Sequence, residues 1–270
     1  MEEQSVNRTS KREFPWRFFI LVFSLSAPFW LANALISKWL PEIPVNLPFS
    51  SLMVVAPPIA AVMCIRREKG AGSAVKLLKR AFDFEKISSK IWYLPMLLLM
   101  PAVMFIQIGI LILNQQEIPP VQLSGSSLLA FTLVFFFAAV AEEIGWQGYA
   151  IDRLPKKWNS LTAGIFLGII WAAWHIIPFI QMEKTLSWII WQCLNLTVTR
   201  VIIVWIANNT QKSVSSAVLF HTMYNVSTLF SPVYDSLIVT VILILIAGTI
   251  TVHWGSKSWQ KQNGEIQQYV

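Results

Sequence analysis

Two adjacent glutamates, Glu142 and Glu143, interrupt a long apolar stretch of the chain. Other apolar stretches contain further polar or ionisable side chains, namely His175, Arg200, His221 and Asn225. If these stretches cross a membrane, each ionisable group costs at least about 2.5 kcal/mol there and therefore suggests a functional site. Hydrogen bonding between neighbouring helices is the structural alternative, and for Asn225 the two explanations stay open.

These residue types together are suited to hydrolysis. Burial keeps a carboxyl group partly neutral, so Glu142 or Glu143 is suited to take a proton from water. His175 would orient or help deprotonate the same water, while His221 and Asn225 would donate hydrogen bonds to an oxyanion. The predicted reaction is hydrolysis of a peptide bond.

A divalent metal ion is the second hypothesis for these residues. Glu142, His175 and His221 would be its ligands, and zinc accepts such a set with an open position. No glutamate directly follows any of the three histidines, so the HExxH pattern of soluble metalloproteases is absent. The leading hypothesis therefore requires no cofactor. Cys64 and Cys193 lack CxxC spacing and predict neither a disulfide nor a thiolate site.

The elements that must position these residues are membrane-spanning helices. The 270 residues are 55% hydrophobic and only 13% charged, with a mean hydropathy of +0.57, which indicates an all-α polytopic membrane protein. About eight transmembrane helices are predicted, at 18–37, 43–65, 91–116, about 124–150, 160–182, 185–207, 214–232 and 236–255. Each group that is suited to the chemistry falls inside one of the last five.

The distribution of basic residues predicts the topology. Lys and Arg gather in alternate connections, which places both termini in the cytoplasm under the positive-inside rule. The net charge of +7 is therefore explained by topology, and no nucleic-acid partner is expected. We expect a cytoplasmic segment at 1–16, one transmembrane domain at 17–256 with the motif-bearing core at about 128–230, and a cytoplasmic tail at 257–270.

The sequence leaves two features of this arrangement undecided. The connection 66–90 has the spacing of a short amphipathic surface helix, although a solvated loop is equally consistent with it. Uniform straight helices would also leave Glu142 and His175 offset by roughly 10 Å along the membrane normal. Helix tilt, a break near Gly145 and Gly148, or a shifted boundary would be needed to bring them together.

Three motifs in this region resemble those of the CAAX protease and bacteriocin-processing family of intramembrane proteases, also called the Abi family. Its motifs are EExxxR, FxxxH and HxxxN or HxxxD. They correspond here to residues 142–147, 171–175 and 221–225, in the same order and on separate predicted spans. The resemblance implies that Glu142 and His175 activate water, and that His221 and Asn225 stabilise the oxyanion.

Two positions depart from the family motifs. Trp171 replaces the phenylalanine, which is a mild change, and Gln147 replaces the arginine. Without that arginine, Glu143 would have only a neutral partner one helical turn away and would be protonated more readily. We hypothesise that Arg200 compensates, because a buried arginine needs an acidic or carbonyl partner; the alternative is that Arg200 extends to the lipid headgroups.

The leading hypothesis is an intramembrane endopeptidase that acts on a peptide or protein substrate within or near the bilayer. Prenylated CAAX chains and short exported peptides are the candidate substrates, and a bacterial source would favour the exported peptides. The alternative is a non-catalytic binding or bacteriocin-immunity protein on the same scaffold, which the missing motif arginine makes credible. A transporter would also explain intramembrane Glu and His residues, but no inverted repeat with broken helices is evident.

Overall fold

A computed structural model describes residues 14–36, 49–155, 157–231 and 233–258, with side chains to residue 253. Its described residues form helices and connecting turns, with a 3₁₀ segment at Phe49–Val55 before the second helix. The α-helices are α1 (Trp16–Ile36), α2 (Ala56–Lys69), α3 (Gly72–Lys79), α4 (Tyr93–Leu113), α5 (Gly125–Gly145), α6 (Ser160–Gln181), α7 (Leu186–Asn209), α8 (Val214–Thr228) and α9 (Ser236–Ser258). The predicted all-α class is confirmed.

Seven helical segments of the described chain are long and apolar enough to cross a membrane. The seventh predicted span, 214–232, is instead the 15-residue helix α8, which is about 22 Å long and shorter than the hydrocarbon core. Most of the predicted cytoplasmic segments at 1–16 and 257–270 lies outside the described residues, so the topology and the single-domain boundaries remain predictions.

The four helices that carry the three motifs and Arg200 each begin at a side-chain cap. An oxygen of the residue before the helix accepts a hydrogen bond from the backbone N–H three residues later. This residue is Ser124 before α5, Asn159 before α6, Thr185 before α7 and Ser213 before α8. A cap of this kind contributes about 0.5–2 kcal/mol and makes the starting residue of the helix well defined.

Helices α6 and α7 share the most extensive helix–helix contact of the described residues, and two glycines remove side chains from it. A Cβ on Gly168 would lie 2.8 Å from the Thr197 Cα, and one on Gly164 would lie 3.3 Å from the Val201 Cα. This small-xxx-small spacing lets the two backbones approach closely, as in many membrane helix pairs. The contact brings Arg200 of α7 up to the motif-bearing face of α6.

Helix α5 changes its geometry directly after the glutamates. A π-helical turn occupies Trp146–Ala150, so the predicted span at about 124–150 is one α-helix followed by a wider turn. A π-turn changes the register of the residues after it. The connection 66–90 contains the short helix α3 and two 3₁₀ turns, at Arg80–Phe82 and Phe84–Lys86, in partial agreement with the predicted surface helix.

Gly145, at the end of α5, is a position where we expect any side chain to be costly. A Cβ there would lie 2.6 Å from the Pro57 Cβ and 2.9 Å from the Pro57 backbone. Gly145→Ala should lower stability by about 1–3 kcal/mol through overpacking, measured as a lower thermal midpoint in detergent. Gly109→Ala is the control, because nothing lies within 4 Å of its Cβ position and alanine favours the helix. Equal midpoints for the two variants would contradict this prediction.

Candidate active site

Glu143 is the centre of a buried ionic cluster. Its side chain is fully buried, and so is that of Arg200. Arg200 Nη1 donates to Glu143 Oε2 at 2.6 Å, while His221 Nδ1 lies 2.9 Å from Glu143 Oε1. The placement of Arg200 beside the paired glutamates agrees with the compensation hypothesis and not with an extension to the headgroups. Both carboxylate oxygens of Glu143 are therefore occupied.

Trp171 connects this cluster to Glu142. Its indole Nε1 donates to Glu142 Oε2 at 2.7 Å, and the Arg200 guanidinium carbon lies 4.2 Å from the centre of the Trp171 ring. The rings of His175 and His221 each meet the Trp171 ring edge to face, with 5.3 Å between centroids. One side chain thus touches Glu142, His175, Arg200 and His221. The offset expected from uniform straight helices does not keep Glu142 and His175 apart.

His175 is held in a defined orientation by its own helix. Its Nδ1 lies 2.8 Å from the carbonyl oxygen of Trp171. A carbonyl only accepts hydrogen bonds, so Nδ1 carries a proton and the other ring nitrogen, Nε2, is an acceptor in the neutral form. The ring is partly exposed and stacks on Phe179, with 5.8 Å between centroids. Nε2 is therefore the atom that is available to a water molecule.

Asn225 and Gln147 have weaker connections to the cluster. Asn225 lies one helical turn after His221 on α8 and is half-buried. Gln147 lies in the π-turn, is 1% exposed and has no described partner for its Oε1 atom. The sequence placed Gln147 on one helix face with Glu143, but the carboxylate bonds Arg200 and His221 instead. The widened turn accounts for this, since it breaks the four-residue spacing after Gly145.

The predicted metal ligands Glu142, His175 and His221 all contact Trp171. Within the part of the chain that the structure describes, no group of three His, Cys, Asp or Glu side chains has an arrangement that would hold a metal ion. Glu142, His175 and His221 already direct three of their polar atoms to protein partners. The zinc hypothesis remains a prediction, which metal analysis of the purified protein and activity with and without a chelator would test.

Sequence reasoning missed a chain of neutral polar side chains beside the cluster. Tyr234 Oη donates to Gln192 Oε1 at 2.8 Å, and Gln192 Nε2 donates to Tyr224 Oη at 3.0 Å. Tyr224 Oη then donates to Asn195 Oδ1 at 2.7 Å. The signal in the sequence was the polar spacing of Gln192, Asn195 and Thr199 on α7, which puts them on one helix face. These bonds connect α7 to α8 and to the segment before α9.

Sequence reasoning also missed Asp83 and Arg80, which lie in the connection between α3 and α4. Asp83 Oδ1 accepts from the backbone N–H groups of Val214 and Ser215, at 3.0 and 3.1 Å, at the start of α8. Arg80 donates to the carbonyl oxygens of Gly148 and Lys212, at 2.5 and 3.2 Å. The connection therefore fastens the end of the glutamate-bearing helix to the start of the helix that carries His221.

Comparisons with known proteins agree with this site. Residues 124–227 match the family described as type II CAAX prenyl endopeptidase Rce1-like, and this range contains every candidate catalytic residue. The chain is also 27% identical over 256 residues to CAAX prenyl protease 2 of Methanococcus maripaludis, across 88% of this chain and 93% of that protein. Across the helices that carry the three motifs, the chain is therefore similar to the Rce1-like CAAX prenyl endopeptidases, and over most of its length it is similar to CAAX prenyl protease 2.

Proposed function

We propose that this chain hydrolyses a peptide bond at the membrane with a water molecule activated by Glu142 and His175. Glu142 Oε2 is held by Trp171, whereas Oε1 has no hydrogen-bond partner among the described residues. His175 presents the acceptor Nε2. A water bound between Oε1 and Nε2 would donate one hydrogen to each, which leaves an oxygen lone pair to attack the carbonyl carbon.

In this mechanism the first step forms the bond between the water oxygen and the carbonyl carbon. Glu142 takes the water proton, and the carbonyl oxygen becomes an oxyanion. The second step breaks the carbon–nitrogen bond, and the proton that Glu142 holds passes to the leaving amine. Glu142 thus returns to its carboxylate form at the end of the cycle.

His221 and Asn225 are assigned the role of donating hydrogen bonds to the oxyanion. His221 directs Nδ1 at Glu143, so its Nε2 atom donates only when the ring is an imidazolium. The carboxylate of Glu143 stabilises that charged form, and Arg200 keeps the carboxylate in place. The Asn225 amide would supply a second donor from one helical turn further along α8. Glu143 is therefore a positioning residue, because neither of its oxygens is free to meet the water.

The single observation that carries the proposal is the set of contacts around Trp171. Trp171 bonds the Oε2 atom of Glu142 and packs against the ring of His175, which leaves Glu142 Oε1 and His175 Nε2 to bind the water. A water-activating pair and an ion-paired histidine are the parts that acyl transfer to water requires. The names of the family and of the archaeal relative make a prenylated CAAX peptide the first substrate to test.

The experiment is cleavage of synthetic peptides by the protein purified and reconstituted in lipid vesicles. One peptide carries a prenylated cysteine near its carboxyl end, and a second has the same sequence without the prenyl group. A Glu142→Gln protein prepared in parallel measures background from contaminating proteases. Cleavage of either peptide above that background supports the endopeptidase, and the ratio between them gives the substrate class. No cleavage of any peptide in a large library would favour a binding protein.

Trp171→Phe tests the hydrogen bond of the indole N–H separately from the packing of the ring. The ring contacts would remain, but Glu142 would lose a hydrogen bond to its charged form, of a kind that contributes about 1.5–3 kcal/mol. We expect kcat to fall by roughly tenfold to a hundredfold with little change in KM, because the loss is in positioning and not in substrate binding.

Trp174→Phe is the matched control for that variant. Trp174 is another fully buried tryptophan of α6, and its Nε1 donates to Ser26 Oγ at 2.7 Å. The control should lose a similar amount of thermal stability while its kcat stays near that of the wild type. If the two variants have the same kcat, the indole of Trp171 has no special role in holding Glu142.

A further inference from the structure

A second site lies at one end of the bundle and contains none of the candidate catalytic residues. It is a cleft of about 1460 Å³ between the first turn of α1, the last turns of α2, the short helix α3 and the end of the π-turn. Candidate membrane spans begin at Trp16 and end at Lys69, so the cleft opens where two spans leave the apolar region. Its position makes it accessible to lipids.

The cleft carries an excess of positive charge. Six basic side chains line it, against only two acidic ones, Glu68 and Asp152. Both acids are already paired, because Arg153 Nη2 lies 2.6 Å from Glu68 Oε2 and Arg80 Nη1 lies 3.1 Å from Asp152 Oδ2. The four other cations are Arg17, Arg67, Lys69 and Lys76, and no carboxylate of the described residues pairs with them. These four side chains are therefore available to bind an anion.

One wall of the cleft is apolar. Ile20 of α1 is 63% exposed and Met63 of α2 is 49% exposed, and both line the cleft. Trp16, at the start of α1, is also exposed, as expected of an aromatic side chain at a membrane interface. A ligand for this cleft should thus carry a negative group at one end and a hydrocarbon chain at the other.

We propose that the cleft binds one anionic phospholipid. Its phosphate lies among Arg17, Arg67 and Lys76, and one acyl chain follows Ile20 and Met63 along α1 and α2. A basic pocket between membrane helices is a known way to hold an acidic headgroup, and each Lys or Arg near the surface adds to the attraction. The assignment does not depend on the proposed peptidase activity, since it uses no residue of that mechanism.

The same two helices offer a matched control for bulk charge. Arg66 on α2 and Lys79 on α3 are exposed and basic like Arg67 and Lys76, but they do not line the cleft. The cleft variant is Arg67→Gln/Lys76→Gln, and the control is Arg66→Gln/Lys79→Gln. Both lose two positive charges from the same helices, so any general attraction to acidic membranes falls equally.

The test is native mass spectrometry of the detergent-solubilised full chain with phosphatidylglycerol or phosphatidylcholine of identical acyl chains. We expect the wild type and the control to retain one phosphatidylglycerol in preference to phosphatidylcholine. The cleft variant should bind phosphatidylglycerol at least tenfold more weakly. Equal weakening in both variants, or equal binding of the two lipids, would overturn the proposal, because only bulk charge or general hydrophobicity would then be involved.

Two additional experiments distinguish a lipid from a soluble anion and replace the cleft variant if it does not fold. Glycerol phosphate and inorganic phosphate should not displace the bound lipid at millimolar concentration, since they lack the chain that contacts Ile20 and Met63. If they displace it fully, the site takes a soluble anion and the lipid assignment is wrong. If the cleft variant does not fold, a photoactivatable phosphatidylglycerol on the wild type decides. Labelling of α1 and α2 is expected, and labelling spread evenly over all spans would refute the site.

Discussion

Glu142→Gln is expected to lower kcat by at least about a hundredfold, and by as much as ten-thousandfold, while leaving the protein folded. The glutamine carbonyl would still accept the hydrogen bond of Trp171 Nε1, which the wild-type carboxylate accepts at 2.7 Å. The amide cannot take a proton from water, however, so the step that generates the nucleophile is lost. KM should change little, because Glu142 is assigned to the water and not to substrate binding.

Two comparisons make that result specific. Glu117→Gln removes an exposed carboxylate outside the cluster and should cleave the reference peptide at the wild-type rate. Thermal unfolding in detergent should give similar midpoints for wild type, Glu142→Gln and Glu117→Gln. The assignment of Glu142 as general base fails if the Glu142→Gln protein turns over the substrate as fast as the wild type.

The parts of this molecule that sequence alone could predict follow from the cost of burying charge. Apolar stretches long enough to cross a membrane gave the helical class and most helix positions. The same cost singled out Glu142, Glu143 and His175 as candidate site residues, which stay predictions, and it suggested that Arg200 needs a carboxylate, in agreement with its 2.6 Å contact with Glu143. The fold class and the pairing of Arg200 could be predicted because the bilayer penalises an unpaired charge wherever the helices pack.

The parts that sequence alone missed depend on how helices pack. Trp171 looks like a conservative exchange for phenylalanine, and only the structure shows that its N–H meets Glu142. Asp83 stands in a charged connection where a solvated side chain is the normal expectation, yet it is 5% exposed and caps α8. The π-turn after Gly145 lies where the sequence offered a helix break as one of three possibilities, but no hydropathy signal could decide among them. Each case involves one hydrogen bond or one register change, which periodicity and composition do not encode.

Arg200→Met should produce the largest loss of stability among single substitutions in the cluster. Arg200 and Glu143 are both fully buried, so removing the guanidinium leaves an uncompensated carboxylate in an apolar core. Breaking one side of a buried ion pair typically costs about 3–5 kcal/mol. The stacking of Arg200 on Trp171, at 4.2 Å, would be lost as well. The expected readout is a markedly lower thermal midpoint, together with loss of peptide cleavage.

Lys86→Met is the matched comparison, because Lys86 also pairs with a buried carboxylate. Lys86 Nζ lies 2.8 Å from Asp83 Oδ2, but the lysine is 34% exposed. Asp83 would keep its bonds from Val214, Ser215 and Ser213 after the lysine is removed. The loss should therefore stay within about 1 kcal/mol, as for other solvent-accessible pairs.

A second substitution distinguishes a loss of charge compensation from a simple packing defect. In Arg200→Met/Glu143→Gln the buried charge is gone, and the glutamine oxygen can still meet His221 Nδ1. Most of the lost stability should return, because replacing both members of a buried pair by neutral groups is far less costly than removing one. Cleavage should stay low, since His221 would lack the carboxylate that stabilises its charged form. If the double variant is as unstable as Arg200→Met, then Arg200 acts through its packing and not by compensating Glu143.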